Sequence, residues 1–380
     1  MTLVPMKTIL NTALKHQFAV GAFNVHTPNQ IKAAIEIHEL FRAPAILQVI
    51  EFSTGFMAGR KDFLQATIDE KVEGIKKLVE VCMPQIQEAS IPIALHLDHG
   101  SDPELVKKCV DLGFSSVMID GSHLPFEENI RVTKEIVDYA HGKGVTVEGE
   151  LGVLAGREDH AGNNHALYTD PNKVCEFFER THVDALAISY GTSHGATKGK
   201  DVVIRKEIAI AAYENMRHKG ITGSLVSHGS STVPAYLVKD INRLGGDLQN
   251  AHGIPLEQVL EVIPYGISKI NVGTDLRLAI VRNVRDYFSK HPEQKQVSVL
   301  KEIWGTLEKN PSMIDERVYL QPIMDDMIVG KPSSSEAEAI LEAMENGVKE
   351  MIGQQIVYFG QVGYADQVER ITLEEMTKLY

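Results

Sequence analysis

The sequence predicts a (β/α)8 barrel, an α/β fold of the TIM type, and three observations carry that prediction. Eight short apolar runs rich in β-branched residues alternate with stretches of helical periodicity. Most of the runs end on a polar, chemistry-bearing residue or a glycine. Strict strand–helix alternation builds a parallel sheet, whose C-terminal strand ends then share one face. A doubly wound open sheet is the competing arrangement. Eight units with reactive side chains at the same end favour closure into a barrel, whose active site lies at that face.

The runs follow in order. The first, "FAVGAFNV", ends at Asn24, and the second, "APAILQVI", contains Gln48. The third, "IPIALHLD", reaches Asp98 and His99; the fourth, "FSSVMID", ends at Asp120. The fifth, "VTVEGELG", carries Glu148 and Glu150, and the sixth, "DALAISYG", precedes His194. The seventh, "GSLVSH", ends at His228, and the eighth, "ISKINVG", closes near Asn271. The intervening helices show ordinary start and stop chemistry. "TPNQIKAAIEIHELF" opens on the cap Thr27 and on Pro28 at the first helical position. "SDPELVKKCVDLG" opens at Ser101 or Asp102 before Pro103 and closes on Gly113; "PFEENIRVTKEIVDYAHGKG" also closes on glycine. "DPNKVCEFFERTHV" and "STVPAYLVKDINRLGG" repeat the pattern.

After the eighth unit the rhythm breaks. "VYLQPIMDDMIVGKPSSSEAEA" contains the most linker-like stretch of the chain, and "EAEAILEAMENGVKEMIGQQIVYFG" is helical by spacing. We expect one domain over residues 1–380: a barrel over about 5–290, with a long insertion after the eighth strand and a C-terminal helical extension over about 291–380.

Composition narrows the partners. A net charge of −13 argues against nucleic acid, which needs a basic face. No run approaches the ~20 consecutive apolar residues of a membrane span, so no membrane partner is expected. The N-terminal stretch has no small-residue cleavage site after an apolar core, which predicts no signal peptide. Cys82, Cys109 and Cys175 stand far apart and read as free thiols of a reducing cytoplasm.

The strand-end residues His99, Glu150, His194 and His228, with Asp98 and Asp120 nearby, suggest a divalent transition metal, because imidazole suits zinc and a catalytic zinc keeps one open position. The chain has 15 histidines, and a single one near a strand end is usually a surface or satisfied core side chain. Three at the ends of strands three, six and seven, each followed by glycine, form a pattern. Asp98 adjoins His99, so it is a candidate general base rather than a ligand of the same ion. His96, on the same strand face, reads either as an orienting neighbour or as a hydrogen-bonded core histidine. "SHGSS" (Gly229, Ser230, Ser231) and "NVGTD" (Asn271, Gly273, Thr274, Asp275) each lead into a helix and together read as a barrel phosphate site. The long polar loop Glu150 to Asp170 reads as a lid that delivers Glu158.

The motifs "LHLDHG", "VEGELG…GREDH", "YGTSHGATKGK", "SHGSSTVP" and "INVGTDLRLA", in this order, resemble the class II, metal-dependent fructose-bisphosphate aldolases and the wider ketose-bisphosphate aldolase family. The resemblance runs from near residue 5 to about 366. It implies that His99, His194 and His228 bind a catalytic Zn2+, with Glu150 and Asp120 at an alternative or second metal position. It implies that Asp98 handles the proton of the carbon-4 hydroxyl and Glu158 that of the three-carbon fragment. Gly195, Gly229, Ser231, Asn271 and Thr274 match positions around dihydroxyacetone phosphate, and Lys198 matches a family lysine. Asn24, Gln48, Ser230, Gly273, Asp275 and Arg277 complete the expected substrate-facing set, Arg277 as the candidate for the distal phosphate. A monovalent cation (Na+ or K+), a phosphorylated sugar substrate, a homodimer or homotetramer and a cytoplasmic location are implied as well. The family commonly has serine two residues past the glutamine of the second strand; here Val49 and Ile50 follow Gln48, and Ser53 or Arg60 is the candidate replacement. Gly273 stands where many fructose-specific members have aspartate and tagatose-type members have a small residue. Cleavage of fructose 1,6-bisphosphate is the leading expectation, tagatose 1,6-bisphosphate or another phosphorylated ketose the alternative. A metal-dependent barrel hydrolase, with product identity as the discriminator, is the remote one.

Overall fold

The computed structural model describes residues 2–156, 167–196 and 204–380; Glu158 and Lys198 lie outside them. Among the described residues, eight parallel strands close a barrel, which excludes the open sheet. They are β1 (Val20–Asn24), β2 (Ala45–Ile50), β3 (Ile93–Gly100), β4 (Ser116–Ile119), β5 (Thr146–Leu151), β6 (Ala185–Ile188), β7 (Ser224–Ser227) and β8 (Ile267–Val272). Each strand pairs with its sequence neighbour, and β1 closes the circle on β8, with Ala22 opposite Asn271.

The interior changes character with height. Alternation along the strands turns every second residue inward. At the bottom these positions carry Val20, Ala22, Ile46, Ala94, Ala185, Ala187 and Val226, an apolar layer capped by Met6, Ile9, Leu10 and Ala13 of α1 (Met6–His16). One step up, Gln48 pairs across from His96, and the next step sets Ile50 opposite Asp98. Glu148, Lys269 and Asn271 continue this polar upper layer, and all are buried. A barrel whose floor is sealed by alanine, valine and a helix can keep its polar side chains only towards the open, C-terminal mouth.

The expected helices form: α2 (Pro28–Leu40), α4 (Pro103–Asp111), α5 (Phe126–His141), α6 (Pro171–Thr181), α8 (Ala235–Arg243) and α9 (Thr274–Lys290); α7 (Lys206–Lys219), between β6 and β7, was not among them. The sequence pattern did not single out α3 (Ile68–Glu88), whose N-terminus is closed by a capping box of Thr67 and Glu70. It is separated from β2 by short helical turns over Glu51–Ser53, Thr54–Met57 and Phe63–Gln65, so the strand does not run directly into it.

The chain after the eighth unit is helical as expected. It contains α10 (Ser298–Lys309), short turns over Glu316–Tyr319 and Met324–Val329, and α11 (Ser335–Tyr358). The linker-like stretch ends on Ser334, whose hydroxyl accepts from the Ala337 amide at 3.1 Å and starts α11. Helix α11 packs on α9 and α2. Gly347 permits the approach to α9, since a Cβ there would lie 2.8 Å from the Ala279 carbonyl oxygen. No described helix is long and apolar enough to cross a membrane.

Candidate active site

The three strand-end histidines converge. Their ligand atoms lie within 4.8 Å of one another, and His99, Asp120 and Glu150 form a second such group. The ring centroids of His99 and His228 are 4.8 Å apart and those of His99 and His194 5.3 Å. His99 adopts a left-handed backbone, φ 51, unusual for a residue with a Cβ. The ladder between β3 and β4 slips between Leu97 and Gly100, and this break re-aims the ring over the mouth. His194 differs from expectation. It lies beyond β6, in a two-residue strand with Ser193 that pairs parallel with Ala155–Gly156 above the barrel.

Carboxylates surround the rings. His99 Nδ1 is 3.5 Å from Asp120 Oδ2, and its Nε2 is 3.9 Å from Asp98 Oδ2. His228 Nδ1 is 3.6 Å from Glu150 Oε2, beyond hydrogen-bond range, and both atoms are buried without a hydrogen-bond partner. Burial disfavours charge on His99, yet Asp98 foremost, with Asp120 and Glu150, holds its pKa well above the usual imidazole value. Burial and the neighbouring Asp120 push the Glu150 carboxyl well above the carboxylate range. Burial opposes ionisation of Asp120 too, but the hydrogen bond and charge of His99 hold it low. Burial lowers His228. Imidazoles, crowded carboxylates and two facing orphan atoms make a donor set that fits a divalent cation.

Asp98 is held from two sides. Gln48 Nε2 donates to its Oδ2 at 2.9 Å and Asn271 Nδ2 to its Oδ1 at 3.2 Å. Gln48 also donates to Asn24 Oδ1 at 2.6 Å, so Asn24, Gln48, Asp98 and Asn271 form one buried set spanning β1, β2, β3 and β8. His96 Nδ1 engages Ser116 Oγ at 2.8 Å, and burial lowers its pKa well below the usual value, which makes it a hydrogen-bonded interior histidine beneath the cluster.

The two glycine loops are latched together. Asp275 Oδ1 accepts from the Val233 amide at 2.8 Å; its Oδ2 accepts from the Thr232 amide at 2.8 Å and hydroxyl at 3.0 Å. The aspartate of "NVGTD" thus holds the loop after β7 in place. Gly229 has φ 60, and a Cβ there would lie 2.7 Å from the Ser193 carbonyl carbon, so the His228 loop and the His194 segment touch only because this residue is glycine. Ser230 Oγ bonds Ser227 Oγ at 2.6 Å, and Ser227 bonds the buried Tyr190 hydroxyl. Ser231 is buried beside them, Gly195 follows His194 with φ 92, and Gly273 caps α9 with Thr274 as its first residue. Arg277 sits half-buried one turn into α9, where its charge acts on buried Glu316 of the inserted segment.

Neither candidate replacement for the missing serine has a disengaged side chain. The Ser53 hydroxyl donates to the Ile50 carbonyl at 2.7 Å, and Arg60 is committed to Asp62 and Glu70. Ile50 itself lies level with Asp98. The sequence reading also assigned no role to Glu148, Lys269 and Tyr190. The signal for the first two was their place two residues before Glu150 and Asn271, on the same inward face.

A family model described as "Fructose-bisphosphate aldolase class-II" matches residues 4–363. The chain is 36% identical over 381 residues to a fructose-bisphosphate aldolase of Giardia intestinalis, with 100% of both chains covered. It is 36% identical over 359 residues to that of Thermus caldophilus, covering 94% of this chain and 98% of the relative. The crystal structure of the fructose-bisphosphate aldolase of Campylobacter jejuni shares the fold, with a TM-score of 0.69 at 21% identity over 95% of this chain and 97% of that one. A closed barrel with histidines and carboxylates gathered at its mouth, matched over nearly its whole length by this family, is a lyase, and the chain belongs to the class II, metal-dependent fructose-bisphosphate aldolases.

Proposed function

We propose that the protein reversibly cleaves fructose 1,6-bisphosphate to dihydroxyacetone phosphate and glyceraldehyde 3-phosphate. The observation that carries this reading is the juxtaposition of the three-histidine cluster with Asp98, 3.9 Å from His99 and held by two amides. His99, His194 and His228 are the proposed ligands, with Glu150 and Asp120 at the alternative position, and zinc is the proposed ion. When bound, such a cation supplies a Lewis acid for the ketose carbonyl.

The chain's own residues handle protons and phosphate. Asp98 takes the carbon-4 hydroxyl proton as the bond between carbons 3 and 4 breaks, and the electron pair left on carbon 3 delocalises onto the carbon-2 carbonyl. Glu158 returns a proton to carbon 3 and releases dihydroxyacetone phosphate. Gly195 in the segment after β6, and Gly229, Ser230, Ser231, Gly273 and Thr274 in the loops leading to α8 and α9, hold the phosphate with backbone amides and hydroxyls. Asn24, Gln48 and Asn271 keep Asp98 aimed, and Asp275 keeps the β7 loop closed. Lys198 and a monovalent cation, Na+ or K+, assist at the phosphate, and Arg277 binds the distal one. Barrel and helical extension act as one domain, in a cytoplasmic homodimer or homotetramer.

Gly273 and Ile50 favour a second reading within the same chemistry, a tagatose-1,6-bisphosphate or other phosphorylated-ketose aldolase. A coupled assay separates the readings: each sugar is offered with and without EDTA, and dihydroxyacetone phosphate is measured. EDTA-sensitive cleavage favouring the fructose sugar is expected. Preference for the tagatose sugar would move the assignment to the second reading, and release of inorganic phosphate alone would mean a hydrolase.

A further inference from the structure

Beneath the histidine cluster runs a chain of buried ion pairs and hydrogen bonds in which two residues, Lys269 and Glu148, have no part in the cleavage chemistry. Its centre is Lys269 on β8, fully buried inside the barrel. Its Nζ forms an ion pair with Glu148 Oε2 at 3.0 Å and donates a hydrogen bond to Asn271 Oδ1 at 2.7 Å. Glu148 Oε1 lies 2.8 Å from His228 Nε2, and Asn271 Nδ2 donates to Asp98 Oδ1 at 3.2 Å. His96 Nε2, at 3.6 Å from Glu148 Oε2, is beyond hydrogen-bond range of that carboxylate.

An ammonium group only donates, and a carboxylate beside it only accepts. Two consequences follow. Towards His228, Glu148 Oε1 must accept, so Nε2 carries the hydrogen and Nδ1 keeps its lone pair. Nδ1 is the buried nitrogen without a hydrogen-bond partner that faces Glu150. Towards Asp98, the Asn271 carbonyl oxygen is taken by Lys269, so its NH2 group must face the aspartate. We propose that Lys269 is a positioning residue: it anchors the Glu148 carboxylate that sets the tautomer of His228, and through Asn271 it fixes the amide that orients Asp98. The inference rests on the reading of His228 as a ligand and Asp98 as the proton acceptor. One donor-only side chain then coordinates the metal half and the proton half of the site.

The discriminating variant is Glu148→Gln. Its amide must turn the oxygen to Lys269 and the NH2 to His228, which forces the hydrogen onto Nδ1 and removes the ligand lone pair. Adding Lys269→Met removes that demand and lets the glutamine oxygen turn back to His228. Full-length wild type, E148Q, K269M and E148Q/K269M, each stripped with chelator, would be titrated with Co2+ and followed by visible absorption. E148Q should weaken Co2+ binding about 10- to 100-fold, and the double variant should recover most of that loss. K269M at saturating Co2+ should lower kcat more than it changes KM. A merely structural role predicts a double variant weaker than either single one. Should K269M melt below assay temperature, nitrogen-15 histidine NMR of the wild type reads the tautomer directly, and Nε2–H on His228 is expected. E148Q binding Co2+ as tightly as wild type, a double variant no better than E148Q, or Nδ1–H on His228 would overturn the inference while leaving the metal reading intact. Failure of wild type to bind Co2+ would overturn both.

Discussion

Asp98 accepts one amide on each oxygen and still lies 3.9 Å from His99, an arrangement that restrains the carboxylate while leaving each oxygen a second lone-pair direction. Asp98→Asn should therefore lower kcat by about 10²–10⁴-fold with bound metal unchanged, measured by steady-state kinetics beside metal analysis. At Gly229 the added methyl of an alanine would meet the Ser193 backbone, and the left-handed φ alone costs about 1–2 kcal/mol. Gly229→Ala should lower both melting temperature and kcat/KM; an unchanged melting curve would show that the two loops do not touch as described. The histidines were legible because a polar ring at the end of an apolar run, followed by glycine, departs from the local pattern. Glu148 and Lys269 were not, because each is made useful by a partner on another strand.

At the scale of elements, the site depends on how the turns after β6, β7 and β8 are joined. The link between the last two is Asp275, which offers its carboxylate to two backbone amides and one hydroxyl of the β7 loop. Removing an acceptor from buried donors costs about 1–3 kcal/mol each. Asp275→Ala should accordingly raise KM for the sugar bisphosphate and lower the melting temperature; a change in kcat alone, with KM intact, would contradict a loop-holding role. The strands were readable from short apolar runs, and most helices from caps and closing glycines. Helix α3 was obscured by three short helical turns between it and β2. The displacement of His194 into a small sheet above the barrel depends on pairing with residues 155–156, which sequence spacing does not encode.

For the molecule as a whole, the closed bottom balances the open mouth. Asp184, buried just before β6, accepts from Lys7 of α1 at 2.9 Å, His141 at 2.9 Å, the Val147 amide at 2.9 Å and the Tyr380 hydroxyl at 3.0 Å. The Tyr380 ring stacks on His141 and lies under the Lys7 ammonium. Burial opposes ionisation of Asp184, but His141 and Lys7 with the Val147 amide hold its carboxyl below the usual range. A folded value below the unfolded one, about 3.9, means this stabilisation is present above about pH 4 and lost as pH falls through the folded value. Asp184→Asn should melt lower than wild type at pH 7, with the gap narrowing below pH 4; a gap that widened in acid would refute the assignment. Chelation should lower the wild-type melting temperature and re-addition of Zn2+ restore it, since an ion bound only by the folded chain stabilises it by mass action.

The barrel, its polar mouth, the histidine and aspartate positions and the two glycine loops were determined by the sequence alone, because each rests on local periodicity or on a residue type out of place in its run. Tertiary structure decided the rest. Closure of the barrel brought Asn271 to Asp98, linked Asn24 to it through Gln48, and set Lys269 beside Glu148. It also committed Asp275 to its neighbouring loop and left Ile50 level with Asp98. Those roles are contacts between residues far apart in the chain. A single sequence records which side chain stands at each position, whereas the partner that gives it a role is chosen by the curvature and register of the whole barrel.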